Sequence, residues 1–103
     1  MSKWHNAKKE QPELIYREAY EEPGDPDYFV LLWSENVLVV AEDEIGCRCE
    51  KIAHFTKGEL SGDTDWEYYD DCYGCVNFSE KRLTAIKWTT DIPKRIKMEG
   101  EDE

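Results

Sequence analysis

Two apolar runs, separated by three polar residues, decide the fold of this chain: Tyr28-Phe29-Val30-Leu31-Leu32-Trp33 and Val37-Leu38-Val39-Val40-Ala41. β-Branched and aromatic residues dominate both runs, and such runs between polar segments predict β-strands. The polar gap Ser34-Glu35-Asn36 predicts that the two strands form a β-hairpin. Because successive residues are apolar, both faces of each strand are apolar, and we expect the hairpin to lie centrally in a sheet.

Further strands are predicted on the C-terminal side of this hairpin, at residues 47–55, 66–69 and 83–88, with turn residues between them. Residues 21–27 form a loop, since two prolines, one glycine and four acids occupy seven positions. A helix is expected only near residues 14–20 or 79–82. The sequence therefore predicts a mainly β fold, with α+β as the alternative: an antiparallel meander of about five strands with at most one short helix.

The length of 103 residues predicts a single domain with a modest core. We assign residues 1–98 to one small globular domain and expect the acidic tail at residues 99–103 to be disordered. The most apolar strands contribute the expected core residues, which lie in one antiparallel sheet: Trp33, Val39, Ile86 and Trp88.

The charge balance is strongly acidic, with 24 acidic residues against 13 basic ones and a formal net charge of −11. Such a surface repels nucleic acid and anionic membranes and attracts basic protein surfaces. Keeping the chain in solution is the simpler interpretation of the same acidity. No apolar run approaches the roughly 20 residues of a spanning helix, and the N-terminus lacks the pattern of a signal peptide, so we expect a cytoplasmic protein.

An acidic and aromatic stretch, residues 63–71, is the main candidate for a binding site. Carboxylates spaced along a chain can imitate nucleic-acid phosphates, and aromatic side chains often anchor protein interfaces. The same alternation fits a strand that turns Trp66 and Tyr68 inward and leaves its acids in solvent. The candidate partner-binding residues are Asp63, Asp65, Trp66, Glu67, Tyr68, Tyr69, Asp70 and Asp71.

Four cysteines fall into two close pairs, Cys47 with Cys49 and Cys72 with Cys75. Four thiolates could bind one structural zinc ion, although the first pair is spaced more tightly than usual, and His54 is a substitute ligand. Strand alternation places the first pair on the face of Ala53 and Phe55, which instead favours reduced thiols in the core. A disulfide is disfavoured in the cytoplasm. The cofactor is therefore expected to be either none or one zinc.

Catalytic motifs find little support in the sequence. The chain has two histidines, and its six glycines form no phosphate-binding loop. No Ser or Cys lies in the context of a nucleophile elbow. We therefore expect a protein that is not an enzyme.

The two ends and the apolar strands resemble a family of small phage and prophage proteins of unknown function. The opening Trp4 followed by Pro12-Glu13, the apolar strand pair, Trp66 and the closing Thr84-Ala85-Ile86-Lys87-Trp88 carry the resemblance. Lys87 stands where the family has His, and the proline after the closing Trp is displaced to Pro93. The resemblance implies a phage or prophage gene and no particular activity.

These observations predict an acidic, non-enzymatic binding protein from a phage or mobile element. It would act stoichiometrically on a basic host protein surface, such as that of a nucleic-acid-binding or defence protein, and compete with nucleic acid for Lys and Arg. It would bind neither nucleic acid nor membrane directly. The alternative is a small adaptor domain stapled by zinc, and an enzyme with carboxylate chemistry is the third hypothesis.

Overall fold

The longest strand of the sheet, Arg48–Gly58, organises the structure. A computed structural model of the chain describes residues 3–92, so the predicted tail at residues 99–103 and the end of the predicted domain lie outside the described residues. The elements in chain order are β1 His5–Asn6, β2 Leu14–Tyr20, β3 Phe29–Ser34, β4 Val37–Glu42, β5 Arg48–Gly58, β6 Thr64–Asp70, β7 Gly74–Asn77, α1 Phe78–Lys81 and β8 Thr84–Thr89. All strand pairs are antiparallel, which confirms the predicted mainly β, antiparallel fold.

Strand β5 has two different neighbours along one edge. Its first half pairs with β4 and its last residues pair with β3, while β6 pairs with residues 53–57. Thr56 and Lys57 pair with both β3 and β6, and Ala53 pairs with both β4 and β6. Because a strand has only two edges, β3 and β4 lie one after the other along the edge opposite β6. The sheet extends from β4 through β8 to β1, from β3 to β2, and from β6 to β7.

The predicted hairpin between residues 28–33 and 37–41 is wrong. Strands β3 and β4 both pair with β5, and they run in the same direction along it. Ser34 explains how the chain passes the polar gap without folding back. Its buried hydroxyl accepts a hydrogen bond from the Phe55 amide at 3.0 Å and donates one to the Glu35 carbonyl at 2.8 Å. The gap is therefore a break in one long edge of the sheet.

Three of the strands, β1, β2 and β7, were not predicted from the sequence. Strands β1 and β7 have two and four residues, too few for a periodic pattern. Residues 14–20, one of the two places where a helix was expected, form β2, in which the five central residues are all exposed. Since neither face of β2 is buried, its sequence shows no clean alternation.

The short helix α1 lies where the second helix prediction placed it, near residues 79–82. The amide of Asn77, at its N-cap, donates to the Glu80 carboxylate at 3.0 Å, and Arg82 ends the helix in the left-handed conformation. Among residues 3–92, the structure has no helix of the length and apolar character needed to cross a membrane.

The core lies between the inner faces of β4, β5, β6, β8 and helix α1. Val39 and Trp88 are buried as predicted, whereas Trp33 and Ile86 are only partly buried. A β-bulge opposite Val40 and Ala41 explains the burial of β8, because the register there passes from Lys87 directly to Ala85. Ile86 is the extra residue of the bulge, so residues 85 and 88 share the core face despite their odd spacing.

Trp88 is the central side chain of the β1–β8 region. It is 5% exposed, its ring stacks on His5 at 4.3 Å between centroids, and its indole N–H donates to the Glu10 carbonyl at 2.8 Å. It therefore joins the N-terminal segment to the sheet through apolar burial, stacking and one hydrogen bond.

We expect Trp88→Ala to lower the free energy of unfolding by about 3–5 kcal/mol, because it removes a large buried ring and leaves a cavity. The matched control is Trp4→Ala, since Trp4 is 36% exposed and its ring contacts the Lys87 ammonium 4.7 Å away. The control should cost about 1 kcal/mol or less. Denaturant unfolding measures both, and equal losses in the two variants would contradict the packing described.

Candidate protein-binding site

Strand β6 carries most of the acidic and aromatic stretch, and its alternation is as predicted. Trp66 and Tyr68 point into the core, where Trp66 lies edge-on to Phe55 at 5.0 Å between ring centroids. Asp65 and Glu67 lie on the opposite face and Tyr69 is exposed there. The two inward aromatic residues therefore hold the strand in place, and its outer face is available for polar contacts.

The carboxylate of Asp65 is occupied within the molecule. It accepts hydrogen bonds from the Ser79 amide at 3.3 Å and from the Ser79 hydroxyl. It also accepts one from the Asn77 side-chain amide at 3.3 Å and one from the Trp66 amide at 2.8 Å. These contacts fasten the start of α1 to β6. Asp65 is therefore a structural residue in this fold.

Glu67 takes part in a second network. Its carboxylate lies 2.8 Å from Nε2 of His54, and Nδ1 of His54 lies 3.3 Å from the side-chain oxygen of Asn36. A doubly protonated imidazole donates to both oxygens. A neutral ring donates to Glu67 alone, and its other nitrogen then accepts from the Asn36 side chain, which requires the amide oxygen and nitrogen of Asn36 to exchange places. In either state the network ties the break between β3 and β4 to β6.

The remaining three acids divide into one that supports a turn and two that project. Asp70 accepts hydrogen bonds from the amides of Cys72 at 2.8 Å and Tyr73 at 3.1 Å, and so fixes the turn between β6 and β7. Asp63 and Asp71 are exposed in the loops on either side of β6. The predicted stretch is therefore only partly available to a partner.

Tyr68, Tyr69, Asp70 and Asp71 nevertheless contribute to a larger feature, an open groove of about 970 Å³ on the surface of the sheet. Residues from β2, β3, β5 and β7, the connection after β3 and Ile92 form the rest of its lining. We call this the acidic groove, and its charged and aromatic lining consists of Glu35, Glu50, Asp70, Asp71, Lys51, His54, Tyr16, Trp33, Tyr68 and Tyr69. Four of these residues carry a carboxylate, and one other is a lysine.

The aromatic side chains of the acidic groove are arranged as surfaces for a cation. Tyr16 stacks on Trp33 with ring centroids 5.5 Å apart, and its hydroxyl donates to the Glu35 carboxylate at 3.0 Å. A contact of this kind exists on the core face of the sheet, where the ammonium of Lys51 lies 4.6 Å from the centre of the Tyr68 ring. Aromatic faces beside carboxylates are well suited to bind Lys and Arg side chains.

Two phenols of this region, Tyr16 in the groove and Tyr68 in the core beneath it, keep their protons at neutral pH. The hydrogen bond to Glu35 and the charge of that carboxylate raise the pKa of Tyr16 above its ordinary value. Burial raises the pKa of Tyr68, and nearby Asp70 and Cys49 act in the same direction. The rings are therefore neutral surfaces, and the negative charge of the groove comes from its carboxylates.

Comparison of the chain with protein-family models, curated proteins and solved structures finds no match. The chemistry of the acidic groove is therefore the basis for a functional proposal. The resemblance to small phage and prophage proteins stays a prediction.

Sequence reasoning missed half of this groove. Tyr16, Trp33, Glu35 and Glu50 come from distant segments that meet only when β3 and β4 pair with β5. No spacing along the chain relates them to residues 68–71. Two of the other predicted residues, Asp65 and Trp66, lie beside a second, smaller cavity near α1.

The four cysteines form no disulfide and are exposed, so the expectation that Cys47 and Cys49 lie in the core is wrong. Cys47 precedes β5, and Cys49 lies at the end of β5 that pairs with β4 alone, because the ladder with β6 begins only at Ala53. Cys75 of β7 pairs with Tyr69 of β6, and Cys75 also lines the acidic groove. Among residues 3–92, no three His, Cys, Asp or Glu side chains are grouped so that they could hold a metal ion. One structural zinc stays a prediction.

We expect all four thiols of the native protein to react rapidly with a thiol reagent, because each is exposed. The rate should match that of the unfolded chain within about an order of magnitude. Elemental analysis of the same sample is the control. Slow reaction together with about one equivalent of zinc would instead establish the zinc-stapled alternative, and a chelator should then lower the melting temperature.

Proposed function

We propose that this chain is a non-enzymatic binding protein that acts stoichiometrically on a basic protein surface in the cytoplasm, and that the acidic groove receives the Lys and Arg side chains of its partner. The observation that carries the proposal is the convergence of four carboxylates and the aromatic side chains of Tyr16, Trp33 and Tyr69 on one open groove. A phage or mobile-element origin, with a host nucleic-acid-binding or defence protein as the partner, belongs to the same proposal.

Electrostatics selects a cationic partner. Glu35, Glu50 and Asp71 are exposed, so their charges act on an approaching molecule with little desolvation. Carboxylates clustered in one groove add their potentials and speed the encounter with opposite charge. Phosphate-bearing ligands are repelled by the same field. The groove therefore favours the surfaces that normally hold nucleic acid, which are rich in Lys and Arg.

Occlusion is the mechanism that such a groove supports. The lining residues lie on an open surface of the sheet, where a partner's loop or strand can enter from solvent. Most catalytic clefts exclude water from a bound ligand, whereas an open site of this form does not. A partner whose basic residues are engaged by these carboxylates cannot offer them to nucleic acid at the same time. The zinc-stapled adaptor remains the alternative.

The test is a pair of double variants with the same change in charge. Glu50→Gln with Asp71→Asn removes two carboxylates from the acidic groove, whereas Glu44→Gln with Asp63→Asn removes two exposed carboxylates elsewhere. The probe is an eight-residue oligoarginine peptide. The groove variant should bind it roughly two- to thirtyfold more weakly, since each exposed charge pair contributes about 0.2–1 kcal/mol.

Titrations at two salt concentrations complete the measurement. Affinity of the unchanged protein should fall as salt rises, and the groove variant should show a smaller salt dependence because fewer ion pairs are screened. Melting curves control for folding. Equal affinity of both folded double variants would mean that the groove is not the binding site, and no affinity of the unchanged protein at low salt would end the proposal.

A further inference from the structure

Strand β2 presents an open edge beside the acidic groove. Its residues pair with β3 on one side, and no strand within residues 3–92 covers the other side. We propose that an extended, basic segment of the partner protein adds to this edge as a further strand of the sheet. The inference rests on the proposed function and specifies the conformation in which the partner binds.

The backbone of β2 is suited to accept another strand. An uncovered edge leaves alternate N–H and C=O groups ready to pair with another chain. Proteins usually protect such edges with charged side chains, proline, bulges or a very short strand. Strand β2 has seven residues without proline or lysine, and the charge of its Arg17 is paired with Glu59. The irregularity in its pairing lies between Leu14 and Tyr16, so residues 16–20 stay in regular register with β3.

The side chains on one face of this edge form a surface that continues from the acidic groove. Tyr16 stacks on Trp33, and Tyr20 stacks on Phe29 with ring centroids 4.5 Å apart. Glu18 lies between the two tyrosines on the same face, opposite Leu31. Because Tyr16 and Trp33 also line the acidic groove, a strand added to β2 would present every second side chain to this surface.

Charge selects the occupant of the edge. Glu13, Glu18, Glu21 and Glu22 lie in or beside β2, and the only basic residue of the strand, Arg17, is already bound to Glu59 at 2.8 Å. A second copy of the chain would bring the same four acids against these four. A segment with Lys or Arg at alternate positions would place its charges beside Glu18 and the groove. The edge therefore favours a basic partner strand over self-association.

The experiment uses an eight-residue peptide of alternating Arg and Val as the probe, with the unchanged protein. Two further peptides carry N-methyl groups, one on the amides of the odd positions and one on those of the even positions. Methylation removes backbone donors and keeps the charge. Successive amides of a strand point to opposite edges, so only one set can pair with β2. We expect one methylated peptide to bind at least tenfold more weakly and the other to bind within about threefold of the parent.

Each outcome bears on the inference separately from the proposed function. Equal binding of all three peptides would overturn strand addition and leave binding by the acidic groove intact. Equal weakening by both methylation patterns would also overturn it, because an added strand donates hydrogen bonds to β2 from only one set of its amides. No binding of any peptide or of oligoarginine would end both proposals. A dimer in sedimentation that excludes the parent peptide would show that a second copy covers the edge, which also overturns the inference.

Discussion

The need to pair both edges of β5 is the constraint on which the rest of the structure depends. Eleven residues of extended backbone carry donors and acceptors on both sides, and leaving them unpaired in the core would be costly. Two strands share one edge, and the hydroxyl of Ser34 pairs with the Phe55 amide where the chain passes from one to the other. This break places Glu35 and Asn36 at the surface, where they become part of the acidic groove.

Local sequence predicted the strands better than their partners. The apolar runs became β3 and β4, and Trp66 with Tyr68 turned inward as their alternation indicated. Strand pairing could not be predicted in the same way. Strands β3 and β4 both pair with β5, which is distant in sequence, and the local sequence is equally compatible with a hairpin between them. The bulge at Ile86 defeated the alternation of β8, since one extra residue moves every following side chain to the other face.

The candidate site was predictable only in part, for a related reason. The acidic stretch attracted attention by its composition, yet Asp65 and Glu67 bind groups inside the molecule. Glu35 and Glu50 looked like ordinary surface acids, and they gain significance only through neighbours brought by the sheet. Composition therefore indicated a surface of acids and aromatic rings, whereas which carboxylates meet in the groove depends on long-range pairing that one sequence does not reveal.

The distribution of charge bears on whether the acidity is only for solubility. Three exposed ion pairs, of Arg17 with Glu59, Arg48 with Glu42 and Arg82 with Glu44, lie outside the groove and contribute little stability each. Solubility requires only that charge be spread over the surface. Four carboxylates around one groove repel one another in the isolated protein, and a cationic partner would relieve that repulsion on binding. Clustered acids beside stacked aromatic rings therefore favour a binding role over a solvated face.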